Sequence, residues 1–147
     1  MPPVRADAGR LGRLLGYAWA APCTLLGLAL ALPAVAFAGA RWRCVQGVIE
    51  VAPGHGAAAT AHRGGFVAIT LGHVVLGRSA AHLCELRVHE HAHVAQFERW
   101  GAVLLLAYPL AGAWQWLRGR RAYLDNPFEV QARRAERRAG APTKDSP

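Results

Sequence analysis

The sequence predicts an α+β protein. In chain order it should comprise an N-terminal membrane-anchor helix, a small antiparallel β-sheet, a helix bearing His-Glu-x-x-His, an apolar interfacial helix and a C-terminal helix carrying a glutamate. Three observations predict this. From Leu14 to Ala40 no residue is charged, two Val-rich runs follow with tight-turn dipeptides, and beyond Ser79 the apolar residues recur at helical spacing. At 147 residues the chain has room for one compact core. Hydrophobic residues make up 53% and charged residues 18%, which excludes a disordered chain and points to a membrane contact.

Residues 1–40 read as a basic tail, with Arg5, Arg10 and Arg13, followed by an apolar anchor. The apolar run exceeds the ~20 residues that cross a hydrocarbon layer as helix. Pro22 and Pro33 interrupt it, so one kinked span and a helix that enters and returns are both open. A cleaved secretory signal ending at Ala36-Phe37-Ala38 is the rival reading. Signal cores run about 7 to 15 residues, and the greater length here favours a retained anchor.

The domain proper is expected over residues 41–139. Arg43–Val51 around Gln46-Gly47 and Phe66–Leu76 around Leu71-Gly72 predict two β-hairpins within 43–77, with His73 on the surface of the second turn. The Gly/Ala-rich stretch 52–65 reads as a loop. Ser79 is a fitting N-cap, and Leu83, Leu86, Val94 and Phe97 predict one helix over 79–100. Residues 101–117 are uncharged but short for a span and carry Pro109 at their centre. Asn126-Pro127 signals the start of a last helix, 127–139, and residues 140–147 are expected to be disordered.

The chemistry concentrates on the 79–100 helix, where His89-Glu90-His91-Ala92-His93 satisfies His-Glu-x-x-His. Residues four apart lie about 40° apart on one helix face, so His89 and His93 can direct imidazole nitrogens at one zinc ion. Glu90 stands beside such an ion, where it can take a proton from an activated water. His91 points away. The pattern arises by chance in about one or two chains per hundred of this composition, so context matters. A third ligand is required, and the candidates are His55, His62, His73, His82, Glu85, Glu98 and Glu129. Glu98 faces about 140° from His93, Glu85 sits a turn below and His82 two turns away. Glu129 stands out because it opens a second helix.

The runs VHEHAHVAQFERWG and YLDNPFEVQAR resemble small bacterial gluzincin-like, membrane-associated metallopeptidase-like proteins, over about residues 66–136. The resemblance implies a minimal zincin-like fold and a zinc ion held by His89, His93 and Glu129. It also implies Glu90 as general base and hydrolysis of peptide bonds, with Tyr123 the positional candidate for an oxyanion-stabilising group. This ligand set places both flanks of residues 101–117 on one side of any membrane, making that segment a buried, interfacial or re-entrant helix. The alternative is a non-catalytic membrane protein whose metal site is structural or vestigial and whose basic tail binds lipid or a partner.

Sixteen of the seventeen cationic side chains are arginines, and the formal net charge is +8. Arg118, Arg120 and Arg121, with Arg133, Arg134, Arg137 and Arg138, are expected to form solvated faces or to meet anionic lipid headgroups of the cytoplasmic leaflet. No nucleic-acid-binding motif accompanies them, so nucleic acid is not an expected partner. Trp19, Trp42, Trp100, Trp114 and Trp116 mark the ends of apolar stretches, as interfacial tryptophans do. Three widely spaced cysteines indicate neither a disulfide framework nor a zinc ribbon, and favour a membrane protein whose domain faces the cytoplasm.

Overall fold

The computed structural model describes residues 5–54 and 67–140. Helix α1 (Arg5–Phe37) runs unbroken through Pro22 and Pro33. Its segment Leu11–Phe37 is long and apolar enough to cross a membrane. One stripe of small residues, Gly16, Ala20, Cys23, Gly27 and Ala31, faces the rest of the protein at helical spacing. Closeness is the reason for small size: a Cβ on Gly27 would stand 2.8 Å from the Cβ of Val74. The opposite face of α1 is bare, exposing Leu14, Leu15, Leu25, Leu30 and Leu32.

Strands β1 (Ala40–Val45) and β2 (Val48–Pro53) form the first hairpin, and β3 (Ala68–Leu71) and β4 (Val74–Gly77) the second. Gln46 and Gly47 both take positive φ, 52° and 83°, as a two-residue loop matched to strand twist requires. The sheet order is β1-β2-β4-β3, with β2 and β4 parallel, Ile49 opposite Val74 and Val51 opposite Leu76. The sheet is therefore mixed, not antiparallel as expected. Consecutive Val74 and Val75 point to opposite faces and are both fully buried, so β4 belongs inside the sheet with neighbours on each side. Most of the expected 52–65 loop, with His55 and His62, lies outside the described residues, as do 141–147 of the expected tail.

The expected 79–100 helix is two helices, α2 (Ala80–Glu85) and α3 (Arg87–Trp100), broken at Leu86. The Ser79 side chain caps α2 by accepting from the His82 N–H. Leu83 and Leu86 both enter one core cluster with Val48, Val75 and Val94, and the break lets the chain turn there. After a 3-10 turn (Gly101–Val103), helix α4 (Leu104–Leu117) continues through Pro109. Helix α5 (Pro127–Ala139) starts at Asn126, whose Oδ1 accepts from the Phe128 N–H. A second cluster joins Ala20 and Cys23 of α1 to Leu71, Phe97, Leu104 and Phe128, so α1 is part of the core.

His73 is not a surface residue. It is 3% exposed, stacked on the Tyr17 ring at 3.9 Å, with its Nε2 2.9 Å from Glu98 Oε1. The Thr24 hydroxyl accepts from its backbone N–H. Helix α1 lies over this turn and buries it. On the far face of α3, buried Glu50 of β2 is held by Arg43 at 2.7 Å and by Arg87 at 2.8 and 3.3 Å. His91 points to this side, its Nε2 3.8 Å from Glu50. Burial alone would raise the Glu50 carboxyl, but the two arginines outweigh it and hold it below the ordinary carboxylate range.

Candidate metal centre

Helix α3 supplies His89, Glu90 and His93 from its buried face, and α5 supplies Glu129 from its first turn. The Nε2 atoms of His89 and His93 are 3.1 Å apart. Glu129 Oε2 is 3.2 Å from His89 Nε2, and Oε1 is 3.2 Å from His93 Nε2. These three residues are buried and could together hold a metal ion. Four-coordinate zinc with ligands at about 2.0–2.1 Å has a ligand–ligand edge of about 3.3 Å, close to the His89–His93 separation, and one atom from each of the three residues lies within 4.8 Å of the others.

The surrounding hydrogen bonds set which nitrogens are bare. Gln96 donates through Nε2 to the Phe128 carbonyl at 2.9 Å, which turns its Oε1 toward His93 Nδ1, also at 2.9 Å. His93 must then donate from Nδ1, leaving a lone pair on Nε2. On the other ring, His89 Nδ1 stands 3.2 Å from the carboxylate of Glu136, two helical turns along α5 from Glu129. Metal-ligating histidines usually donate their second nitrogen to a carboxylate or carbonyl; Gln96 fills that place for His93, and Glu136 lies near His89 Nδ1 without hydrogen-bonding it here. Two imidazole Nε2 atoms and a carboxylate thus converge in a buried cluster, and each Nε2, once deprotonated, would offer its lone pair to a metal ion. Glu129 Oε2 has no hydrogen-bond partner there.

Such a cluster calls for positive charge. Burial would raise the Glu129 carboxyl, but His89, His93 and Tyr108 together hold it far below the carboxylate range. Burial would depress the His93 imidazole, and Glu129 overrides it and raises the group. A proton can meet this demand, and so can a metal ion. The Tyr108 hydroxyl donates to Glu129 Oε1 at 2.6 Å, and its own ionisation is pushed up by burial and then by Glu129.

Glu90 stands at the side, its Oε2 accepting from the Thr70 hydroxyl at 2.8 Å. A cavity of about 330 Å³ opens beside the cluster, lined in part by Glu90, His93, Tyr108, Tyr123 and Glu129. Tyr123 reaches this wall from the turn before α5. Tyr108, which sequence reasoning passed over, is the tyrosine that touches a candidate ligand. A signal for it exists: Tyr108 is the one side chain with a hydrogen-bonding group between Gly101 and Ala113.

Of the other candidate ligands, His73 and Glu98 pair with each other. His82 sits at the α2 cap, its Nδ1 2.6 Å from Ser79 Oγ. Glu85 ends α2, on the far side of the Leu86 break from His89. Arg133 is not on the solvated basic face. It lies 3.8 Å from Glu129 and donates to the Leu124 carbonyl, whereas Arg134, Arg137 and Arg138 are exposed. Helix α4, between the two elements that carry the site, has fourteen residues and rises only about 21 Å, short of a bilayer's hydrocarbon thickness.

Searches against protein-family models, curated proteins and solved structures find no match to this chain.

Proposed function

We propose that this chain is a membrane-associated, zinc-dependent metallopeptidase of gluzincin-like, minimal zincin-like type. The observation that carries this reading is the convergence of His89 Nε2, His93 Nε2 and the Glu129 carboxylate, with Gln96 hydrogen-bonded to His93 Nδ1 and the Glu136 carboxylate 3.2 Å from His89 Nδ1. Thiolate is absent from the set, and two imidazoles with one carboxylate suit zinc in its catalytic form, with three protein ligands and one open position. The cavity beside Glu90 supplies space on the open side. It favours catalysis over a structural site closed by four protein ligands.

Zinc bound by these residues would polarise a scissile carbonyl and make water acidic enough to attack it at neutral pH. Glu90, oriented by Thr70, is the base that takes the water proton and returns it to the departing amine. The carbonyl carbon gains the water oxygen, the C–N bond breaks, and the amine leaves protonated. Tyr108 and Tyr123 face the same cavity and are the hydroxyl donors available to a developing oxyanion.

Helix α1 and the exposed apolar side of α4 seat the protein at a membrane, with the domain facing the cytoplasm. Arg118, Arg120, Arg121 and the exposed arginines of α5 then meet anionic headgroups. Metal content of detergent-purified protein tests the centre. One zinc per chain is expected in wild type, lost in His93→Ala and in Glu129→Ala. Glu90→Gln should keep its zinc and lose turnover, and retained cleavage would refute the assigned role.

A further inference from the structure

Above its polar floor, the cavity beside Glu90 and Glu129 is walled by Ile69 and Leu71 of β3, Phe97 of α3, and Leu104, Leu105 and Pro109 of α4. No lysine or arginine lines it among the described residues. Acidic side chains would find no cation here and would be repelled by the floor carboxylates, and any charge lying against the six apolar wall residues would be desolvated without a partner there, so apolar side chains suit these walls. Among the described residues, strand β3 ends the sheet and pairs with β4 alone. An edge of this kind holds an extended polypeptide by main-chain hydrogen bonds, while the adjoining cavity selects its side chains. A lipid ester has no main chain to offer that edge.

The route to the cavity is apolar as well. Ile69 and Leu105 belong both to its wall and to the exposed surface, at 43% and 39% exposure. Beyond Leu105, α4 exposes Leu106 and Leu110, and no charge occurs from Gly101 to Leu117. The mouth is thus continuous with the uncharged surface that the previous reading seats against lipid. We propose that the site draws its substrate from the bilayer: an uncharged, apolar segment of a membrane-resident polypeptide, extended along β3 with side chains between β3 and α4. This rests on the peptidase reading and adds the substrate class and its route.

The test uses full-length Glu90→Gln protein in vesicles of phosphatidylethanolamine and phosphatidylglycerol. The probe is a bilayer-inserted leucine-alanine peptide carrying a photoreactive leucine. Crosslinks are expected within residues 67–71 and 104–109. They should fall about tenfold or more with Ile69→Glu and with Leu105→Glu, each placing a charge in the apolar wall away from the ligands. A water-soluble peptide of equal length with alternating Asp and Lys should not compete. Crosslinks elsewhere, competition by the charged peptide, or no crosslinking would overturn the proposal. Thermal unfolding shows whether each variant is folded, and zinc content is read on the same preparations. Full zinc without crosslinking rejects the substrate class alone, whereas missing zinc rejects the metal centre and the proposal with it.

Discussion

Replacing Glu136 separates a metal centre from a buried ionic network. Its Oε1 lies 3.2 Å from His89 Nδ1, and both side chains are 1% exposed or less. In a metal centre this carboxylate keeps the proton on Nδ1 and raises the basicity of Nε2, which faces the ion. Partners in that position are worth about 10- to 100-fold in metal affinity, or about 1.4 to 2.7 kcal/mol. Full burial puts Glu136→Ala toward the 100-fold end. Glu136→Gln keeps an acceptor without the charge and should lose about 10-fold. Competition for zinc against a chromogenic chelator measures both, with unfolding of the metal-free protein measured in parallel. An ionic network with no metal gives the opposite signature: metal-free stability drops, by at most about 3 to 5 kcal/mol since Glu129 still faces His89, and zinc is indifferent. A folded Glu136→Ala protein with zinc affinity within twofold of wild type would refute the metal-centre reasoning.

Other outcomes are expected from the neighbouring contacts. Thr70→Val removes the hydroxyl that orients Glu90, a hydrogen bond to a charged group worth about 1.5 to 3 kcal/mol, and should lower kcat about 10- to 100-fold with zinc content unchanged; an equal loss of zinc would place Thr70 in the ligand scaffold instead. Glu50 is held below its ordinary range, so its contribution to stability is complete above about pH 4.3 and is lost as pH falls through the folded value. Urea unfolding of Glu50→Gln should therefore depend less steeply on pH than wild type over the acid side of that window, and parallel slopes would mean the arginines do not stabilise the carboxylate. Gly27→Leu forces a side chain where even a Cβ meets Val74 at 2.8 Å and the Leu71 carbonyl at 3.0 Å, costing about 1 to 3 kcal/mol. If α1 were an independent anchor, the unfolding midpoint of the domain would not move.

What the sequence made legible follows from which physical signals have a period. His89, His93 and Glu129 were readable because the first two obey helical spacing and the third follows Asn126-Pro127 at a helix start. Glu136 was readable too, though unread: seven residues after Glu129 it returns to the same helix face within about 20°. Both hairpins announced themselves through their turns, but turn chemistry fixes a hairpin's own register and says nothing of which strand of another hairpin lies alongside. The parallel pairing of β2 with β4 is therefore invisible, except through the doubly buried Val74-Val75 pair. The break at Leu86 left no Gly or Pro as a mark, and tertiary packing of Leu83 and Leu86 decided it. Burial of His73 was equally hidden, since it depends on α1 lying across a turn nearly fifty residues further along the chain.

The same packing bears on how α1 meets a membrane. Hydropathy sees one apolar segment, the 27 residues Leu11–Phe37, and is silent about size, yet the small-residue stripe from Gly16 to Ala31 holds α1 against the sheet and α3 for about 22 Å of its length. A stalk has no such stripe, because nothing approaches it. Were α1 perpendicular to a bilayer with a hydrocarbon core of about 30 Å, whatever packs on that stripe would be carried in with it. Glu98, against Gly16 and 37% exposed, and the arginines of β1, which begins two residues beyond the helix, would be drawn toward lipid. Charged side chains drawn into hydrocarbon cost up to about 2.5 to 3.5 kcal/mol each at the bilayer centre by the most lenient scale, and less toward its edges. With α1 in the plane of the interface, its leucine face enters the lipid and the polar groups stay at headgroup level or in water, so no such cost arises. The in-plane arrangement also suits α4, whose length of about 21 Å falls short of a bilayer's hydrocarbon thickness.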